Sequence, residues 1–444
     1  MRMKRKYGLF WAGVFSVHLF FFIWQVLTPD LHLVDSEEYI TEAHNILTSG
    51  SFYCGDLTEP IRYDDFTKRP PVYPLLLAGV FGAGGGEWGM ILLQNLLSLF
   101  NFFLLIRLGL ATGLAEKHFH WMLPFIFLYP AQFIYANMIM AEIFFQTILL
   151  AMVFSAIRGI GEKSWFWLGI YTLLFMAGAL TKPVLYLFIF PHTLVILVLI
   201  FKWRSHWGWI WILIPLLVWM GYMKANERRT GYFHFSSIQN LSLLQYTTYN
   251  LLIHTYGADS ALTLADNILY RSLAQPDYAS GQKLLEKECT AVIREHKWPF
   301  IQFHLKGMVN FFIDPGRFDL YSFAGIIPEG NNQGFLAAFS QDGYRGVVVY
   351  LKKQPLGIVL LLILVAFANL IKFAGILVFA FRRKIPVENR LVIVGLVFYI
   401  AGLTGSSGAS RFAVPVFPLL LLTVPGIISA IISRLPISSK KKVY

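Results

Sequence analysis

Residues 355–380 read PLGIVLLLILVAFANLIKFAGILVFA, with Lys372 as their only charged residue. A helix needs roughly 20 apolar residues to cross a hydrocarbon core about 30 Å thick, since it rises about 1.5 Å per residue. This stretch is long enough. So are others, at about 8–27, 89–107, 120–137, 141–158, 165–181, 184–201, 207–224, 389–405 and 412–432. The pattern predicts an all-α polytopic membrane protein with about ten transmembrane helices. Composition agrees. Of 444 residues, 56% are hydrophobic and 14% charged, against roughly 45–50% and about 25% in soluble proteins. A soluble enzyme, a disordered chain and a disulfide scaffold are excluded.

One segment decides which way the spans face. Residues 72–83, VYPLLLAGVFGA, are short for a crossing, hold Pro74 and run into Gly84-Gly85-Gly86. If they do not cross, the clusters Arg2/Lys4/Arg5/Lys6, Arg107/Lys117, Arg158/Lys163, Lys202/Arg204, Arg382/Arg383/Lys384 and Lys440/Lys441/Lys442 share one side. Cytoplasmic loops carry the excess of Lys and Arg, so these residues are expected to form a short re-entrant or interfacial helix. Both termini are then cytoplasmic. The net charge of +12 lies in these short clusters between apolar runs, which excludes a nucleic-acid partner. The first span reads as an uncleaved anchor in the cell (inner, cytoplasmic) membrane, because no small-x-small cleavage site precedes Pro29.

Three regions follow: 1–224, a transmembrane module with a first outer loop at 28–71; 225–354, a small mixed extracytoplasmic domain; and 355–444, the closing spans. Within the second, Gly281 to Ile313 has helical apolar spacing and ends at Asp314-Pro315-Gly316. Cys54 and Cys289 lie one in each outer loop, and spacing leaves their pairing open.

Several ionisable residues fall at the outer ends of spans. These are Asp35, Lys68-Arg69 before Pro70-Pro71, Glu142, Lys182 in Thr181-Lys182-Pro183, and Arg411 after Gly405-Ser406-Ser407-Gly408. Taken singly, each has a plain reading. Lys182 and Arg411 suit interfacial anchors, Glu142 a helix N-terminus, and Asp35 an N-cap. Lys372 is expected to snorkel to the inner interface, and His18 and His192 to be packed or hydrogen-bonded. As a set, outer-face cations suit a lipid phosphate, which Arg grips as a fork and Lys as a point charge. A nearby carboxylate suits deprotonation of an acceptor hydroxyl or amine.

The ordered set resembles the GT-C superfamily of polyprenyl-phosphate-sugar-dependent glycosyltransferases. It is most similar to the protein O-mannosyltransferases and the bacterial lipid A aminoarabinose transferases. The resemblance is carried by Asp35, Tyr39 and Ala43 with Leu47, Gly50 and Tyr53; by Arg69-Pro70-Pro71-Val72-Tyr73-Pro74; by Ala141-Glu142; by Leu180-Thr181-Lys182-Pro183; and by Arg411-Phe412 with Pro415 and Pro418. It covers nearly the whole membrane part and little of 225–354. It implies the GT-C fold and an inverting transfer from a polyprenyl (undecaprenyl) phosphate-linked sugar donor, with Asp35 as base. Lys68, Arg69, Lys182 and Arg411 would lie near the donor phosphate, supported by Glu38, Tyr39, Asp65, Tyr73 and Glu142. Ser36 stands where many members carry Glu, and Lys68 where the aminoarabinose transferases carry an acid before Lys-Pro-Pro. The expectation is therefore a metal-independent enzyme, with Glu37 and Asp64 as the alternative oxygen ligands for Mg²⁺ or Mn²⁺.

Two other functions compete. An O-antigen ligase or polymerase would use a pyrophosphate-linked donor. A lipid-linked sugar flippase needs polar residues at mid-membrane depth and broken helices, whereas the span middles here are mostly Leu, Ile, Phe and Val. The acceptor, whether lipid, polysaccharide or protein, would be chosen by 225–354.

Overall fold

The structure, a computed structural model, describes residues 7–28, 30–114, 116–325, 344–345, 348–349, 352 and 355–434. The basic clusters at 1–6 and 440–442 lie outside the described residues. In chain order the helices are α1 (Gly8–Leu27), α2 (Ser36–Ser49), α3 (Val72–Gly82), α4 (Gly86–Ala111), α5 (Leu123–Phe127), α6 (Pro130–Ala136), α7 (Glu142–Gly161), α8 (Trp165–Ala179), α9 (Ile189–Trp203) and α10 (Gly208–Thr230). They continue as α11 (Ile238–Ser242), α12 (Tyr249–Tyr256), α13 (Ala258–Leu273), α14 (Tyr278–Glu295), α15 (Lys297–Ile313), α16 (Arg317–Phe323), α17 (Leu356–Ala380), α18 (Val387–Leu403), α19 (Ser410–Ala413) and α20 (Phe417–Arg434).

Among the described residues, 7 helical stretches are long and apolar enough to cross a membrane. They are α1, α4, α7, Pro183–Trp203 (α9 with its leading turn), α10, α17 and Ser410–Ser429 (α19 into α20). Helix α17 shows why such a stretch suits lipid. Leu360, Ile363, Leu364, Phe367 and Leu370 are exposed on one face, while Val365, Ala368, Ile376 and Phe379 are buried on the other. The 3.6-residue period sorts one apolar sequence into a lipid-facing and a packed stripe. The chain is a polytopic helical membrane protein.

Three expected spans differ from the expectation of about ten. Helix α8 is 15 residues long and α18 is 17, and 120–137 is not one helix. It is a 3₁₀ turn (Glu116–Met122), then α5 and α6, broken at Leu128-Tyr129. Pro130 is the cause: it offers no N–H and pushes the residue before it out of the helical region, so Tyr129 sits at φ −139°, ψ 70°. The broken segment still runs from one end of the bundle to the other. Phe119 packs edge-on against Tyr7 and Phe10, whereas the Ile139 N–H donates to the Leu31 carbonyl at 2.9 Å.

A broken helix in an apolar setting leaves carbonyls that side chains must satisfy. Buried amides do this. Gln94 Nε2 donates to Met138 O at 2.6 Å, Asn95 Nδ2 to Ala136 O at 3.0 Å, and Gln146 Nε2 to Val414 O at 2.5 Å, the last at a second break over Val414–Val416. The span middles are thus less apolar than the sequence suggested. These amides bond backbone, other amides and, at Gln94, the Tyr73 hydroxyl, which is a structural use.

Residues 225–354 were expected to be mixed, yet the described residues among them are helical and hold no strand. Leu244, Ala265, Ile268, Leu285 and Cys289 form a small core of its own there. Cys54 and Cys289 are both free and buried. Lys372 does not snorkel. It is 1% exposed, with Nζ 3.9 Å from the Tyr129 ring centre and 4.8 Å from that of Phe417. Snorkelling requires the lipid-facing stripe, and Lys372 lies on the packed one.

Candidate functional site

Asp35 immediately precedes α2, but its carboxylate makes no capping hydrogen bond. Its two oxygens accept from two guanidiniums instead. Arg69 Nη2 donates to Oδ1 at 2.8 Å, and Arg411 Nη2 donates to Oδ2. The contacts continue both ways. Arg69 Nε donates to Glu38 Oε2 at 2.6 Å and Lys68 Nζ to Glu38 Oε1 at 2.5 Å. Arg411 Nε donates to Glu142 Oε1 at 2.6 Å, an oxygen shared with Lys182 Nζ at 2.8 Å. The order is Lys68, Glu38, Arg69, Asp35, Arg411, Glu142, Lys182. Signs alternate along it, and four cations face three carboxylates, so cationic groups close both ends.

Local structure explains the convergence. Asp35, Glu38 and Tyr39 lie within one turn at the start of α2, and Tyr39 supports Arg69 with its ring, 4.9 Å from the guanidinium. Pro70-Pro71 starts α3 and holds Lys68-Arg69 outside the helix. The Val72 N–H donates to Leu180 O at 3.0 Å, tying that corner to the Thr181-Lys182 turn. Thr67 is fixed from the 225–325 side. His234 Nδ1 donates to Tyr232 O at 2.7 Å, which leaves Nε2 to accept the Thr67 hydroxyl at 2.7 Å.

Burial raises the Asp35 carboxyl, but Arg411 and Arg69 outweigh it and hold the group well below the usual carboxylate range. Glu142 is fully buried, and Lys182 is largely buried against it, so neither is a simple surface cap or anchor. Tyr73 is fully buried, 4.8 Å from the Tyr39 ring, and donates to Gln94 Oε1 at 2.7 Å. Asp65 is outside the ion chain; its nearest cation is Arg62, at 3.7 Å. Glu37 and Asp64 do not come together. Glu37 pairs with His32 at 2.9 Å, and Asp64 accepts from Tyr278 at 2.7 Å. Among the described residues, no group of three or more His, Cys, Asp or Glu is placed to hold a metal ion.

The sequence reading missed Glu42, although it extends the Asp35–Glu38 stripe by one more turn of α2. It is 2% exposed, and its Oε2 has no hydrogen-bond partner among the described residues. Burial pushes its carboxyl up to about 8, with Arg69 and Arg229 opposing only in part. A folded-state value raised above the ordinary 4.5 means stability that is present below that pH and lost as pH rises through about 8. Thermal unfolding of the wild type between pH 5 and 9 should show this loss, at up to about 1.4 kcal/mol per pH unit. Glu42→Gln should flatten the profile; an unchanged slope would mean that Glu42 is already ionised.

The fold and the ion chain define a polytopic helical membrane protein with a partly buried, net-cationic cluster where its helices meet the 28–71 and 225–325 segments. No family model matches the chain, and no curated protein matches it. Among solved structures it is similar to ArnT from Cupriavidus metallidurans bound to undecaprenyl phosphate, at 14% identity and a TM-score of 0.39, over 96% of this chain and 79% of that one. For the apo state of the same protein the values are 14%, 0.36, 91% and 76%.

Proposed function

We propose that the chain is an integral-membrane glycosyltransferase of the cell membrane, multi-pass with cytoplasmic termini. It transfers one sugar from a polyprenyl phosphate-linked donor to a lipid, polysaccharide or protein acceptor at the outer face. The observation that carries this reading is the double guanidinium grip on Asp35. Two forks that bind a carboxylate side by side fit a phosphate equally well. As the donor phosphate takes up Arg69 and Arg411, the Asp35 carboxylate loses the charges that hold its proton affinity down, and it becomes a stronger base as the substrate arrives.

The chemistry is a single displacement. An acceptor hydroxyl or amine attacks the anomeric carbon, the bond from that carbon to the phosphate oxygen breaks, and polyprenyl phosphate leaves with the electron pair. The acceptor proton passes to Asp35. The configuration inverts. The phosphate gains one negative charge as it leaves, and Lys68, Arg69, Lys182 and Arg411 are the cations that would stabilise it. Mass spectrometry of polyprenyl-phosphate sugars tests this in cells with the wild-type chain, without it, and with Asp35→Asn. One lipid-linked monosaccharide should accumulate in both defective strains. A pool unchanged in all three would overturn the donor assignment.

A further inference from the structure

Arg411 follows Ser410, and every polar group of Ser410 is engaged. Its N–H donates to Asp314 Oδ2 at 2.7 Å, its hydroxyl to Asp319 Oδ2 at 2.7 Å, and its carbonyl accepts from Tyr129 at 3.4 Å. The two aspartates are fixed in turn. Tyr135 donates to Asp319 Oδ1 at 2.8 Å, the Gly316 N–H to Asp314 Oδ1 at 3.1 Å, and Asn369 to the Asp314 carbonyl at 2.8 Å. Gly316 has φ +71°, and a Cβ there would stand 3.0 Å from the Ser410 hydroxyl oxygen. The turn after α15 therefore closes on Ser410 only with glycine. The run just upstream, Gly405-Ser406-Ser407-Gly408-Ala409, is tied to the same segment, since Asn310 donates to the Gly408 carbonyl and Thr247 to the Ser406 hydroxyl at 3.2 Å.

We propose that Asp314 and Asp319 are positioning residues that hold Arg411 between Asp35 and Glu142, and so link the 225–325 segment to the phosphate-binding cations. The proposal rests on the function argued above for Arg411, but its geometry does not. An arginine that must reach two carboxylates from different helices needs a fixed backbone, and a misplacement of about 1 Å at such a site can cost on the order of 100-fold in rate. Carboxylates suit the task, because bonds to a charged acceptor are shorter and stronger than neutral ones. Burial raises Asp319 to about 6 against the bonds from Ser410 and Tyr135. The carboxylate form, which accepts both bonds, therefore prevails at neutral pH.

The test is a double-mutant cycle on the full chain in nanodiscs, read by binding of undecaprenyl phosphate. Asp319→Asn should weaken binding about 10-fold, and Asp314→Asn similarly. In an Arg411→Ala background the same substitutions should cause no further loss, since they act through the side chain already removed. Losses that add in full would overturn the proposal, as would an Asp319→Asn protein that binds like the wild type. Amide hydrogen exchange of residues 405–412 separates failure here from failure of the proposed function. If the wild type binds no undecaprenyl phosphate, the function is wrong. Faster exchange at Ser410 and Arg411 in both variants would still uphold the clamp, and unchanged exchange would reject it.

Discussion

Asp35→Asn is expected to reduce transfer by the purified protein about 1000-fold or more while leaving undecaprenyl phosphate binding equal or tighter. General-base catalysis contributes typically 10²–10⁴-fold, and the amide cannot take the acceptor proton. Binding should move the other way. Arg69 and Arg411 both pair with the Asp35 carboxylate, so on the proposed mechanism the donor phosphate must compete with it for them; an amide is a weaker competitor for both. A base released by the donor also predicts two different acid limbs. In kcat/KM the limb belongs to free protein, where Asp35 is held far below the usual range. In kcat at saturating donor it should lie at higher pH, because the guanidiniums are shared. Undiminished transfer by Asp35→Asn would remove Asp35 as base, and lost phosphate binding would make it a structural carboxylate.

Hydropathy made the membrane class legible, because uninterrupted apolar runs such as 355–380 have few other uses. It failed at 120–137, where averaging over a window hides Pro130, a single residue that ends one helix and starts another. It also hid the roles of the adjacent pair Gln94-Asn95, which donates to carbonyls at the end of the broken segment, and of Gln146, which donates to Val414 O at the second break. A broken span and its amides form one feature, and neither half shows without the other.

Members of the ion chain stood out singly, because a charge at the end of a span is costly unless paired or wet. Their order did not. Asp35 and Arg411 are 376 positions apart, and nothing local says that one oxygen of Glu142 takes two cations. Asp314 was visible only as part of a helix-ending Asp-Pro-Gly, and Asp319 not at all, since the 225–354 region has no pattern that marks a buried acid. Lys372 was misread for a related reason. Its depth in α17 was readable, but the face it occupies depends on Tyr129 and Phe417 packing against it.

Glu142→Ala should be the most destabilising single change in the ion chain, at about 3–5 kcal/mol, because it strands buried cations without their counter-charge. Glu142 is fully buried, and its Oε1 is the acceptor for Lys182. Arg411 retains Asp35, so the stranded amine of Lys182 carries most of the cost. That asymmetry makes the effect separable. Replacing a buried ion pair by apolar side chains of similar volume is often neutral or better, whereas removing one partner is not. Glu142→Ala/Lys182→Met should therefore recover much of the melting temperature lost by Glu142→Ala, measured as retained monodispersity after heating. It should not recover transfer, because Arg411 has lost the contact that fixes its Nε. A melting temperature for Glu142→Ala within error of the wild type would mean that water reaches Lys182, and a double variant as unstable as the single would place the cost on Arg411.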